Sequence, residues 1–128
     1  MNPEGVITRQ SKYSVKETID RLQGFLKQHG ATLYARIDQQ AEVQKTGLNI
    51  APLEYLLFGN PKAGGVLMTQ NPLIALDLPL KIIAWEDAQK KVWISYNHGS
   101  YLEKRYGLPP TENSPVYLDP LISKALDL

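Results

Sequence analysis

The chain has 128 residues, of which 43% are hydrophobic and 21% are charged. These values are typical of one globular domain and differ from those of disordered or membrane-spanning chains. Fourteen basic and 13 acidic residues give a formal charge of +1, so the basic stripe of a nucleic-acid-binding protein is not expected. We therefore predict a single domain over residues 1–128 that binds neither nucleic acid nor a membrane.

The residues available for chemistry are limited, since the sequence has no cysteine and two histidines. Without cysteine, disulfides, thiolate nucleophiles, iron–sulfur clusters and covalently attached haem are excluded. The sequence also lacks a His-x-x-x-His motif and an acidic calcium-binding loop. We therefore predict no metal and no cofactor. Residues 1–5 do not resemble the start of a signal peptide, which predicts a cytoplasmic protein.

The pattern of residues in the first part of the chain predicts a strand, a helix and a second strand. Residues 6–12 and 32–38 alternate in polarity, as in half-buried strands. Between them Ser14 and Glu17 match a capping box, in which each side chain bonds the backbone N–H of the other residue. Gly30 is the expected left-handed residue after the helix. The apolar stripe of this helix is predicted to consist of Val15, Ile19, Leu22, Leu26 and His29.

The middle of the chain predicts one further strand among short helices. Residues 39–46 suit one or two helical turns capped by Asp38. Residues 52–58 are apolar at nearly every position, which predicts a strand covered on both faces. The apolar pieces at 66–68 and 73–76 are separated by proline, so one or two short helices are expected there.

The last part of the chain contains the strongest hairpin signal. Residues 80–85 and 92–96 are rich in β-branched and aromatic residues and flank a polar turn. Residues 100–106 predict a short helix, and residues 108–115, with three prolines, predict a loop. A final helix is predicted from an apolar stripe made of Leu118, Leu121, Ile122 and Ala125.

The order of these elements predicts the fold class. It reads β-α-β-(α)-β-(α)-β-β-α, which lacks the regular alternation of a doubly wound parallel sheet. We therefore predict an α+β domain with a mainly antiparallel sheet covered by helices.

Several segments together resemble the DUF302 family of small bacterial and archaeal proteins. They are YSVKETIDRL, GATLYARID, FGNPKAGGVLM, NPLIALDLPLKIIAWED, KKVWISYN and YLEKRYGL, and they cover residues 13–108. The resemblance implies a single α+β domain that associates as a homodimer and has no settled biochemical function. Some family members occur with c-type cytochromes. That role is not implied here, because the sequence has no Cys-x-x-Cys-His.

The segment LLFGNPKAGG, residues 56–65, raises the question of a phosphate-binding loop. Gly59 and Gly64 have the glycine spacing of a P-loop. However, Gly65 and Val66 stand where that motif needs lysine and a hydroxyl residue. We therefore expect no nucleoside triphosphate site.

Two interpretations of this segment remain. In the structural one, Pro61 rigidifies a turn and the glycines allow the backbone to approach its neighbours closely. In the functional one, exposed N–H groups form a shallow anion-binding nest. The residues of that nest would be Asn60, Lys62, Gly64 and Gly65.

Glu54 and His98 are the titratable candidates for chemistry. Glu54 is predicted to share a strand face with Leu56 and Phe58, where a carboxylate could act as a general acid or base of raised pKa. The alternative is that it lies at the exposed entry of the strand or pairs with an arginine or lysine. His98 follows the last strand and is either catalytic or a solvated loop residue. His29 is explained by the dipole at the end of the first helix.

The large aromatic residues have two roles open to them. They could fill the core of a small sheet, or line a pocket or a dimer surface, where Tyr and Trp are enriched. Because the strand at 52–58 and the hairpin carry apolar residues on both faces, we predict a homodimer. The aromatic residues concerned are Tyr55, Trp85, Trp93, Tyr96, Tyr101 and Tyr106.

Two classes of function follow. The first is a noncatalytic, homodimeric domain that binds a small anionic ligand or a protein partner near the FGNP segment. The second is a cofactor-independent enzyme that uses Glu54, His98 or Lys62 for acid–base chemistry on a small anionic substrate. The sequence names these acid–base candidates but does not identify catalytic residues. The candidate ligand-binding residues are Glu54, Asn60, Lys62, Gly64, Gly65, Tyr96 and His98.

Overall fold

The computed structural model describes residues 2–110 and 114–128. Its strands are β1 (Val6–Ser11), β2 (Thr32–Asp38), β3 (Leu53–Gly59), β4 (Leu80–Glu86) and β5 (Val92–Asn97). Its helices are α1 (Val15–Gln28), α2 (Gln39–Gln44), α3 (Pro61–Gln70), α4 (Gly99–Tyr106) and α5 (Asp119–Leu126), and a 3₁₀ helix covers Pro72–Leu76. The predicted α+β class is confirmed. Part of the predicted 108–115 loop lies outside the described residues.

The five strands form one sheet in the order β1-β5-β4-β3-β2. Every neighbouring pair is antiparallel, which confirms the predicted sheet. Strands β2 to β5 follow one another as a meander, while β1 pairs with β5 at the opposite edge from β2. Helix α1 links the two edges and packs across β2, β3 and β4.

The core lies between the sheet and helices α1 and α5. Alternate residues of the three inner strands point to these helices, and full burial of each large apolar side chain stabilises the fold by about 1.5–3 kcal/mol. On the strands the buried residues are Leu56, Phe58, Leu80, Ile82, Ala84, Val92, Ile94 and Tyr96; on the two helices they are Val15, Ile19, Leu22, Leu26, Ile122, Ala125 and Leu126.

The predicted limits of α1 agree with the structure, although two details differ. The Ser14 hydroxyl accepts a hydrogen bond from the Glu17 N–H at 3.1 Å, and Gly30 has a φ of 78°. The Glu17 carboxylate, however, lies 3.6 Å from the Arg21 side chain. The placement of His29 in the apolar stripe was wrong. Its ring is exposed and stacks on Phe25 with 4.0 Å between centroids.

The FGNP segment forms the start of a helix. Asn60 caps α3 by accepting hydrogen bonds from the backbone N–H groups of Lys62 and Ala63 at 3.0 and 3.2 Å, and Pro61 is the first helical residue. The turn predicted here was therefore wrong beyond Pro61. An Asn cap followed by proline strongly favours a helix start, which offsets part of the cost of the glycines inside α3, about 1 kcal/mol each.

The sheet has a second side, which we call the outer face. Cross-strand partners in an antiparallel sheet share a side, so the register defines this face from Thr8 through Ser95, Ile83 and Tyr55 to Ile37. Its apolar side chains are half-buried. The strand at residues 52–58 was predicted to be covered on both faces, but within one chain only its helix-side residues are fully covered. The outer face comprises Val6, Thr8, Gln10, Ala35, Ile37, Leu53, Tyr55, Leu57, Lys81, Ile83, Trp85, Trp93, Ser95 and Asn97.

Candidate functional site

A cavity of about 480 Å³ lies on the helix side of the sheet, beside α3. This volume falls within the range of about 300–1,000 Å³ that is usual for small-molecule sites. Its walls are formed by the end of α1, the end of β3, the start of β4, helix α3 and the segment leading into α5. Representative apolar wall residues are Leu26, Phe58, Leu67, Leu78, Val116 and Leu121.

The cap of α3 positions one wall of this cavity. Phe58 ends the buried side of β3, and Asn60 then turns the chain so that α3 runs along the opening. Gly64 faces the space: a Cβ there would lie 3.8 Å from Leu78 Cδ1. A Cβ on Gly65 would have no neighbour within 4 Å. The two adjacent glycines therefore differ, since only Gly64 keeps side-chain volume out of the cavity.

The cavity offers little to a charged ligand. None of the described residues that line it is Asp, Glu, Lys, Arg or His. Its polar side chains include Asn60, whose oxygen caps α3, and Tyr117, whose hydroxyl donates to Glu103 Oε1 at 2.6 Å. An unpaired ion placed here would lose its hydration without gaining a counter-charge. The lining therefore suits an apolar ligand.

The anion-binding nest predicted at the glycines was wrong in its geometry. Both glycines lie inside α3, and the N–H of Gly64 donates to the Asn60 carbonyl at 2.7 Å. That donor is not available to an anion. Lys62 is exposed and does not line the cavity.

Glu54 belongs to an ion-pair cluster between α1 and the sheet. It is 8% exposed and accepts a hydrogen bond from Arg36 Nε. Arg36 also lies 2.7 Å from Asp20 Oδ1 and 2.9 Å from Gln23 Oε1 on α1. Its hydrogen bond holds the pKa of Asp20 below the ordinary value. The predicted position of Glu54 among apolar neighbours is correct, and its carboxylate is ion-paired.

Tyr96 and His98 lie at the other end of the sheet. The Tyr96 hydroxyl donates to Asp119 at the start of α5, and burial raises the pKa of Tyr96 to about 12. His98 is the N-cap of α4, where its Nδ1 accepts from the Ser100 N–H at 3.1 Å. In the described structure each side chain thus holds a helix terminus in place.

The structure brings few of the predicted site residues together. Asn60 and Gly64 line the cavity, whereas Glu54, Lys62, Gly65, Tyr96 and His98 do not. Whether any of the seven contacts a ligand stays a prediction. Reasoning from sequence missed most of the lining because it comes from distant segments whose apolar residues read as ordinary core; examples are Leu26, Tyr34, Leu78, Leu118 and Leu121.

Two further searches cover the described part of the chain. Over residues 2–110 and 114–128, no three His, Asp or Glu side chains are grouped in a way that could hold a metal ion. Within the same residues, no helix combines the length and apolar character needed to cross a bilayer.

Comparison with known proteins decides the family. The protein-family model described as "Domain of unknown function DUF302" matches residues 7–124 of the chain. The chain belongs to the DUF302 family. A crystal structure of an uncharacterized conserved DUF302 protein from Bacillus stearothermophilus has the same fold, with a TM-score of 0.79, 21% sequence identity and 98% of both chains covered. The DUF302 resemblance predicted from sequence is confirmed.

The DUF302 chain is also similar to part of larger curated proteins. It is 40% identical over 104 residues to proteins named "Fluoride-specific ion channel FluC 1" from Brucella suis biovar 1 and Brucella abortus biovar 1. The match covers 81% of this chain, but 41% and 38% of those two proteins. The chain therefore spans about two-fifths of the length of these relatives.

Proposed function

We propose that this DUF302 chain is a noncatalytic binding domain whose cavity takes an apolar small molecule. The observation that carries the proposal is the cavity of about 480 Å³, whose described walls combine many apolar side chains with no charged one. Such sites gain affinity chiefly from burying apolar ligand surface, while a few polar groups orient the ligand. Tyr34, half exposed at 51%, is placed to supply one such group at the rim.

This proposal differs from the small anionic ligand suggested by the sequence. The geometry of α3 removes the Gly64 N–H from use by an anion. The exposed ammonium group of Lys62 stays outside the cavity lining. A ligand with one polar end could still place that end near the opening while its apolar part occupies the interior.

The enzymatic alternative has less support from the positions of its residues. Glu54 is bound to Arg36, His98 caps α4, and Lys62 is exposed on α3. Acid–base catalysis requires such groups within hydrogen-bond reach of one bound substrate. These three side chains belong to separate local structures, and none of them lines the cavity beside α3.

A pair of glycine variants tests the cavity. Gly64→Leu is expected to weaken binding of the neutral apolar dye N-phenylnaphthylamine by at least about tenfold, equivalent to about 1.4 kcal/mol, because the new side chain would occupy the cavity. Gly65→Leu adds the same side chain to the same helix, but in open space. It gains the same helix propensity and is expected to bind like the wild type. Fluorescence titration measures all three affinities.

The outcome separates the cavity from other apolar surfaces. Equal affinity in both variants and the wild type would mean that the dye binds elsewhere, and absence of saturable binding would remove the proposal. Circular dichroism and urea unfolding provide the control for folding, since both variants should retain the helix content of the wild type.

We also propose that the domain is a homodimer and that it works in the cytoplasm. The apolar outer face of the sheet supports the homodimer, because a solvated sheet face normally alternates to polar residues. Light scattering and cell fractionation test the two points separately.

The curated relatives favour a second candidate. Because they are named as fluoride-specific channels, we propose as this second candidate that the chain acts as a partner or accessory domain of such a channel and responds to fluoride. In that case sodium fluoride should raise the melting temperature above its value in sodium chloride of equal ionic strength. Equal melting temperatures would count against this candidate and leave the cavity proposal unaffected.

A further inference from the structure

We infer that the outer face of the sheet is the interface between two copies of this chain. The inference rests on the proposed homodimer and assigns its surface. Adjacent outer-face positions carry Trp93, Trp85 and Leu53 in one row, and Ile83, Tyr55 and Ile37 in the next. Large apolar residues at solvent-facing positions of an antiparallel sheet indicate a face that is covered in the working protein.

The indole N–H groups and the hydroxyls of Thr8 and Ser95 on this face are already bonded within one chain. Trp85 Nε1 donates to Ser95 Oγ at 2.9 Å, which lies 2.8 Å from Thr8 Oγ1. Trp93 Nε1 donates to Asp87 at 2.8 Å. A partner can therefore cover the face without leaving these groups unpaired, which would otherwise cost about 1–3 kcal/mol each.

The dimensions of the face suit a dimer. Five strands about 4.8 Å apart, each about 20 Å long, give a footprint of roughly 400 Å² in projection. Side-chain relief increases the accessible area toward the 600–1,000 Å² or so that each partner contributes to a stable standard-sized interface. Two such faces can stack as sheets about 10 Å apart.

The charge of this face favours a second copy over a bilayer or nucleic acid. Among its paired positions the charged residue is Lys81, whose Nζ lies 4.7 Å from the centroid of the Tyr55 ring. Membrane-surface and nucleic-acid sites need clusters of basic residues, which this face lacks among the described residues. The formal charge of +1 on each chain adds little repulsion between two copies.

The strand order indicates where the twofold axis passes. Strand β4 is the middle strand of the sheet, and Ile83 lies near the middle of β4, between Ser95 and Tyr55. In an isologous interface, residues near the axis meet their own counterparts. Ile83→Lys would therefore place two ammonium groups close together in a desolvated centre.

The test compares Ile83→Lys with a matched exposed site. Leu76, on the 3₁₀ helix, is 75% exposed, so Leu76→Lys makes a similar change away from the outer face. At micromolar concentration, light scattering should give roughly twice the 14.4 kDa chain mass for the wild type and Leu76→Lys. Ile83→Lys should give the single-chain mass while keeping the wild-type circular dichroism spectrum.

A second measurement needs no variant. The two tryptophans of the sequence both lie on the outer face, so dilution of the wild type through its dissociation range should shift their emission to the red. This shift should coincide with the fall in mass.

The possible failures are distinguishable. A wild type that stays monomeric at tenfold higher concentration would overturn both the homodimer and this interface. A wild-type dimer that survives Ile83→Lys, or dissociates without a change in emission, would overturn the interface alone. Dye binding to the cavity is measured separately, so failure of the ligand proposal would not affect this result.

Discussion

Replacing Gly5 with alanine is expected to lower the free energy of unfolding by about 3 kcal/mol. Gly5 has a φ of 79°, a conformation that costs a residue with a Cβ about 1–2 kcal/mol. The added Cβ would also overlap the ring of Tyr101 at its Cγ end, and overpacking adds about 1–3 kcal/mol. The turn cannot shift freely, because the Gly5 carbonyl accepts from the His98 N–H at 2.7 Å.

Gly47 provides the matched control. Its φ is 88°, and a Cβ there would have no neighbour within 4 Å, so Gly47→Ala should show the backbone cost alone, about 1–2 kcal/mol. When Tyr101→Ala is also present, the loss of unfolding free energy caused by Gly5→Ala should be smaller than in the presence of the Tyr101 ring. The loss caused by Gly47→Ala should be unchanged. Urea unfolding measures each free energy. Equal losses for the two glycine variants would contradict the predicted overlap with Tyr101.

Replacing Arg36 with methionine is expected to cost a similar amount, about 3 kcal/mol. The change would leave the Glu54 side chain, 11% exposed, without its cationic partner, and breaking such a buried pair typically costs about 3–5 kcal/mol. We choose the lower end because the Arg36 side chain is 29% exposed. The loss also removes the hydrogen bonds from Arg36 to Asp20 and Gln23 that hold α1 on the sheet.

A double variant shows whether the lost stability comes from leaving the buried Glu54 charge unpaired. Arg36→Met with Glu54→Met should recover much of the lost stability, because no buried charge is left unpaired. Arg21→Met is the matched surface control: Arg21 lies 3.6 Å from Glu17 and 3.9 Å from Asp127, and such exposed pairs contribute about 0–1 kcal/mol. A double variant as unstable as Arg36→Met would contradict this account.

The same cluster predicts a dependence on pH. Hydrogen bonding from Arg36 lowers the pKa of Asp20 from its ordinary value of 3.8. A carboxylate with a lowered pKa in the folded state stabilises the protein above its unfolded pKa, and that stabilisation is lost as the pH falls through the folded pKa. The stability difference between wild type and Arg36→Met should therefore narrow below about pH 4.

The elements predicted correctly from sequence are those with local causes. The hairpin joins residues close in the chain, and Trp85 indeed pairs with Trp93. Helix α1 has both a Ser14 cap and a regular apolar stripe. Each signal acts within a few residues, so it could be recognised without knowledge of the fold.

Helix α3 shows where local reasoning failed. Gly64 and Gly65 disfavour a helix, and the prediction gave them more weight than the Asn60–Pro61 start. Packing of Leu67 against the core adds a tertiary contribution that intrinsic propensity does not contain. The expectation of an anion-binding nest followed from the same error.

The cavity was beyond prediction for a different reason. Its walls meet only after β3, α3 and the segment before α5 have been placed around the end of α1. Leu26, Phe58 and Leu118 each satisfy the pattern of a core residue in their own element. No periodicity distinguishes an apolar residue that fills the interior from one that borders an empty volume.

The strand order has a consequence for the folding route. Thr8 and Ser95, whose hydroxyls are hydrogen-bonded between β1 and β5, are 87 positions apart, whereas β2 to β5 pair with their successors along the chain. Pairings of large sequence separation raise contact order, and the entropy of closing the long loop must be lost before their contacts form. The meander can thus assemble from nearby segments, while β1 is the strand expected to join late and to detach early.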